Sequence, residues 1–193
     1  MKNNLNITNA PKDLKYLKAI CVDRKYDDGR KFPINEVIIA DNWNIDATNK
    51  DELGGFNISV EDKILRWILR GDTLCEVELP QDAKVVEVAS TTTPHGTFRT
   101  NKMILKNPVK ITDEVAMELY LKSDIPEKAY FQILAYLAVE GFRGTCYKII
   151  NDKVTNKNIK DVLDIYDNFL KIRTNPMPKL YNEILEVISN MIK

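Results

Sequence analysis

The hydrophobic pattern of the chain changes period at Thr112, and that change limits the fold more than any other feature. Before it, short apolar runs alternate with polar residues and are cut by turn signals, as in half-buried β-strands. After it, apolar residues recur at three- and four-residue spacing between helix breakers. A chain patterned in this way is expected to be α+β: an N-terminal antiparallel, split sheet with one inserted helix, then a helical C-terminal half. The expected organisation is a flexible polar arm over 1–13, a β-rich domain over 14–111 and a helical region over 112–193 packed on it.

Within the β-rich part, Leu14–Arg24 ends in a strand-like run with Ile20 on one face and Cys21 on the other. Asp27, Asp28 and Gly29 mark a turn, and Ile34–Asp41 is a second strand dense in Ile and Val. A long polar loop carrying Trp43 follows, and Gly55–Ser59 leads into the inserted helix. Ser59 reads as its N-cap, with Glu61 and Asp62 in the first turn where the helix dipole favours carboxylates. Val60, Ile64, Trp67 and Ile68 read as its apolar stripe, which predicts a buried Trp67, and Gly71 as its stop. Cys75, Val77 and Leu79 then alternate with Glu76 and Glu78. Further strands are expected over 83–88 and 98–105. Beyond them Thr112 and Asp124 are the expected helix caps, and Gly141 is the expected end of the second helix.

Of the 193 residues 44% are hydrophobic, enough for a full core, and 28 basic residues balance 28 acidic ones. Nucleic-acid binders carry a basic excess or stripe, so the balance disfavours a nucleic-acid partner. Cys21, Cys75 and Cys146 are widely spaced and His95 is the single histidine, which leaves no Cys/His cluster for zinc. No metal is therefore expected. The scattered cysteines also argue against a disulfide framework, and Cys75 and Cys146, in apolar surroundings, are expected to be buried thiols. No apolar run approaches the ~20 residues of a spanning helix, and the N-terminal residues lack the apolar core of a signal peptide. The expected location is the cytoplasm, with no membrane partner.

The densest set of chemistry-bearing side chains is STTTPHGTFRTNK, Ser90 to Lys102. Ser90, Thr91, Thr92, Arg99 and Asn101 are hydrogen-bonding groups of the kind that hold phosphate or nucleotide oxygens. His95 titrates near neutrality and suits acid–base work, with Arg99 and Lys102 beside it as candidate catalytic cations. Arg99 and Asn101 are expected on one strand face, and Phe98 and Thr100 on the other. Glu76 and Glu78 form an E-x-E on one face, which reads either as paired catalytic carboxylates or as the wet side of a sheet. Arg24, at the end of the first strand, reads as a phosphate clamp or as a surface partner of Asp23. Trp43 reads as a partner-facing stacking platform or as a lid on the sheet.

The succession GFNIS, helix, DTLCEVELP, DAKVVEV, GTFRTNKMIL and KNPVKIT resembles a group of phage, bacterial and large-virus proteins of unassigned activity, over Leu14 to Asp152. The same strand order and its G-x-F-x-x-N step are similar, more distantly, to the split sheet of ADP-ribosyltransferases. That resemblance implies NAD as a possible cofactor, with Arg24 and Ser90-Thr91-Thr92 at the positions of the family's first-strand arginine and Ser-Thr-Ser segment. The Glu76–Glu78 pair precedes that segment, the reverse of the family order. Three functions follow. The first is a non-catalytic module of a phage or mobile element that binds a host or phage protein and needs no cofactor. The others are an ADP-ribosyltransferase-like enzyme or NAD/nucleotide-binding protein, and a metal-independent ribonuclease using His95, Arg99 and Lys102.

Overall fold

A polar residue inside an apolar strand run, Asn101, organises the first half of the chain. The computed structural model describes residues 8–9, 11, 14–21, 32–89, 93–171 and 178–191. It divides into two compact units, Met1–Lys110 and Ile111–Lys193. The first holds one sheet whose eight strands are β1 (Thr8–Asn9), β2 (Tyr16–Ile20), β3 (Val37–Ile39), β4 (Phe56–Val60), β5 (Thr73–Glu78), β6 (Lys84–Glu87), β7 (Thr97–Thr100) and β8 (Lys102–Lys110). Their order is β1-β6-β7-β4-β2-β5-β8-β3, with every ladder antiparallel. The second unit is helical, so the chain is α+β.

β7 and β8 are four places apart in that order, yet only Asn101 separates them in sequence. Four strand spacings amount to ~19 Å, while two Cα–Cα steps reach at most ~7.6 Å. A flat sheet cannot satisfy both, so the sheet rolls until its two flanks meet on the single run Thr97–Lys110. Asn101 is the pivot. Its backbone N–H donates to Lys84 O (3.2 Å), its side-chain Oδ1 accepts from Lys84 N–H (2.8 Å), and its carbonyl accepts from Ala40 N–H (2.9 Å). The core inside the roll includes Tyr16, Ile20, Phe56, Ile58, Cys75, Val77, Phe98, Met103 and Leu105.

β4 and β5 both run antiparallel to β2, hence parallel to each other, and parallel strands need a crossover. Residues 61–72 supply it, but as the 3-10 helix Ile64–Arg70 rather than the α-helix that the sequence suggests. Ser59 is no cap: it lies in β4 opposite Thr97, and its hydroxyl donates to Gly96 O (3.0 Å). A 3-10 helix repeats every three residues. Ile64, Trp67 and Arg70 therefore form one row, Leu65 and Ile68 a second, fully buried one. A 3.6-residue period puts Trp67 with Ile68; the real period separates them, and Trp67 is only half-buried.

Other differences are smaller. Thr8 and Asn9, expected in a loose arm, pair with Val85 and Lys84. The strand expected over Ile34–Asp41 contracts to β3, with a bridge from Ile34 to Leu105. β8 runs past Asn107 and Pro108 to Lys110.

In the second unit the helices are α1 (Asp113–Lys122), α2 (Glu127–Glu140), α3 (Arg143–Lys153), α4 (Ile159–Lys171) and α5 (Lys179–Asn190). Thr112 caps α1 through Val115 N–H (3.4 Å), as its sequence suggests, and Gly141 ends α2 in the left-handed region. The N-cap position of α2 is Pro126, not Asp124. α2 is buried nearly all round, from Ala129 to Ala138, which makes it the central helix of the unit. Asp113 satisfies a neighbour: its carboxylate accepts from Gly144 N–H (2.6 Å), Thr145 N–H (2.9 Å) and the Thr145 hydroxyl (2.6 Å) at the start of α3.

The Tyr166 and Tyr181 rings lie 4.6 Å apart, and the Tyr181 hydroxyl donates to Tyr166 O (3.0 Å). The Tyr166 hydroxyl is buried without a partner, and burial pushes its pKa far above the usual range. A buried, unsatisfied hydroxyl costs ~1–3 kcal/mol. Tyr166→Phe is expected to raise stability by ~1 kcal/mol in a denaturant titration, whereas Tyr181→Phe lowers it. A Tyr166→Phe variant less stable than wild type contradicts the unpaired hydroxyl.

Candidate functional site

The residues singled out between Ser90 and Lys102 do not converge. Arg24, Ser90, Thr91 and Thr92 lie outside the described residues. The His95 side chain is 83% exposed, with Nδ1 3.8 Å from Glu87 Oε1. Arg99 is tied into the fold, donating to Lys50 O (2.6 Å), Gly54 O (3.4 Å) and Asn57 Oδ1 (3.2 Å). Asn101 is the pivot of the rolled sheet, and Lys102 pairs with Asp82. Phe98 and Thr100 are buried while Arg99 and Asn101 are half-buried, the alternation expected of that strand.

Glu76 and Glu78 are spread along a surface of ion pairs. Glu76 meets Lys15 (2.9 Å) and the Asn107 amide (2.6 Å); Glu78 meets Lys106 (3.6 Å). Lys15, then Asn107, hold the Glu76 carboxyl below its ordinary range, the opposite of what a general acid needs. Trp43 packs against both hydrophobic clusters of the unit, and a Cβ on Gly55 would stand 2.7 Å from its ring. Burial pushes the Cys75 thiol up to about 11 and the Cys146 thiol up to about 12, so neither is a poised nucleophile. Among the described residues no His/Cys/Asp/Glu group is placed to hold a metal ion, and no helix is long and apolar enough to cross a membrane.

A different site emerges where the sheet splits. β2 pairs with β4 only at Tyr16↔Val60 and Leu17↔Ser59, although it pairs with β5 along its whole length and β4 pairs with β7 over Phe56–Ser59. Continued in register, Lys18 would face Ile58 and Ala19 would face Asn57; those pairs do not form. The β5–β8 ladder shifts register between Leu74 and Glu76, and Cys75, within that shift, sits opposite Lys18, where the β2–β4 ladder stops. Such irregularities bend a strand and increase its twist, which carries the β2–β5 pair away from β4.

The opening is a recess of about 290 Å³, walled by β2, β4 and the 3-10 helix row Ile64, Trp67 and Arg70. Phe32 and Phe56 meet edge to face at 6.0 Å. Lys18 Nζ donates across the gap to Asn57 O (2.8 Å) and lies 5.4 Å from the Phe32 ring centroid. Trp67 Nε1–H donates to the Thr97 hydroxyl (3.2 Å), and the Arg66 and Arg70 guanidinium groups lie 5.5 and 5.7 Å from its ring centroid. Desolvation, followed by the Arg70 charge, lowers the pKa of Arg66. Lys18 and Arg70 are the charged groups of the lining, which contains no carboxylate. Sequence reading missed this site because it rests on a register failure between distant strands. Compared with protein-family models, curated proteins and solved structures, the chain matches none.

Proposed function

We propose that the protein acts by binding a partner protein, as an accessory module of a phage or mobile element, and that the split-sheet recess is the point of engagement. The observation that carries this reading is the lining: aromatic faces and two cations, without an acid–base pair or a poised nucleophile. Its volume is at the lower edge of the ~300–1,000 Å³ that drug-sized ligands occupy, which favours one anchoring side chain over a dinucleotide such as NAD. The ribonuclease alternative would need His95, Arg99 and Lys102 to meet, and Arg99 and Lys102 are held by other groups.

The test is affinity capture from a bacterial host lysate with wild type and Arg70→Glu, comparing captured proteins and adducts by mass spectrometry. Arg70 is exposed, so the reversal leaves the fold intact, checked by circular dichroism. A protein enriched by wild type and lost with Arg70→Glu is expected. Identical captures with both overturn the reading, and ADP-ribose adducts would favour the enzymatic alternative.

A further inference from the structure

We infer that the recess takes a short, extended, acidic segment of the partner with an aromatic side chain at its centre. This rests on the binding function proposed above and specifies the chemistry of the partner. The argument begins with charge. Arg66 and Arg70 share one indole, and Lys18 lies across the recess from Arg70. Like charges gathered around a low-dielectric wall are relieved by anions. The drop in the Arg66 pKa, to which Arg70 contributes, reports the same crowding.

Shape adds the aromatic requirement. Phe32, Phe56 and Trp67 present ring faces and edges around a space of about 290 Å³, and rings meet rings best offset or edge to face. The backbone requirement comes from the split. Over Lys18–Ile20 and Phe56–Ile58, β2 and β4 do not pair with each other, and the Lys18 amine spans the gap to Asn57 O. An extended segment crossing that mouth meets strand backbone on either side and sets flanking carboxylates near Arg70 and Lys18.

The experiment is fluorescence anisotropy with three labelled pentapeptides, Glu-Glu-Phe-Glu-Glu, Glu-Glu-Ala-Glu-Glu and Lys-Lys-Phe-Lys-Lys, with AMP as a competitor. The acidic aromatic peptide is expected to bind with Kd on the order of 10⁻⁴ M. The alanine peptide should bind at least about tenfold more weakly, since the aromatic side chain is the anchor, and the basic peptide not at all. Arg70→Glu should abolish binding, and raising the salt should weaken it. Equal binding of the alanine or basic peptide, or no binding by any, overturns the inference. So does AMP binding more tightly than the peptide, which would assign a nucleotide site. Light scattering that finds a dimer dissociated by Arg70→Glu would assign the recess to a second copy and also overturn it. If the peptides fail while lysate capture still loses its partner with Arg70→Glu, the peptide chemistry is wrong and the binding function stands. If capture is indifferent to Arg70→Glu, the binding function itself fails.

Discussion

Gly71→Val will unfold most of the sheet unit's margin of stability, with an expected loss of ~3 kcal/mol or more. The backbone at Gly71 is extended (φ −175°), so its conformation suits any residue. The constraint is proximity. A Cβ at this position would stand far inside contact distance of the Ile20 carbonyl, because the crossover comes down directly on the end of β2, where Asp72 N–H donates to Ile20 O (3.1 Å). Backbone cannot swing aside as a side-chain tip can. To admit valine the 3-10 helix must lift, and Ile64, Leu65 and Ile68, all essentially without solvent contact, lose their packing. Against a typical total of ~5–15 kcal/mol, that is a large fraction. Urea unfolding reads it directly, and a variant within ~1 kcal/mol of wild type refutes the close approach.

Arg99→Ala is expected to cost ~2 kcal/mol and lower the melting temperature by ~5 °C. Read from the sequence, Arg99 is a ligand-binding cation whose removal together with His95 spares stability and abolishes binding. In the structure its guanidinium closes the loop from Lys50 to Asn57 by reaching two carbonyls and the Asn57 side chain. Hydrogen bonds to a charged group are worth ~1.5–3 kcal/mol, and partial exposure of Arg99 keeps the sum near the lower bound. His95→Ala, at an exposed position, should melt with wild type. Separate thermal melts distinguish the two roles: an Arg99→Ala melt superimposed on wild type would return Arg99 to the list of ligand-binding groups. Asn57 also lines the recess, so Arg99→Ala is expected to weaken partner capture indirectly.

Local signals were legible where the physics is local. The period change at Thr112, its hydroxyl cap, the left-handed Gly141 and the alternation of Cys75 and Val77 with Glu76 and Glu78 all depend on neighbours within a few residues. Ser59 misleads for an equally local reason. A serine followed by two acids resembles a helix start, but Thr97 pairing, thirty-eight positions away (97 − 59 = 38), decides its conformation. The 3-10 helix was hidden because an apolar stripe at 64, 67 and 68 satisfies a period of 3.6 as well as one near 3. The recess was invisible because it exists where two ladders disagree in length. Asn101 did leave a trace: an amide in an apolar strand run asks for a partner, and here that partner is the Lys84 backbone.

The run Thr97–Lys110 also governs how the sheet comes apart. It is the neighbour of β4 and β6 along its first part and of β5 and β3 along its second. Releasing either flank disturbs the same backbone, so the flanks cannot open as separate cooperative units. Native-state amide exchange should accordingly give the protected protons of β4 and β5 one common opening free energy. An extra residue inserted beside Asn101 would uncouple the two, making one flank exchange sooner than the other.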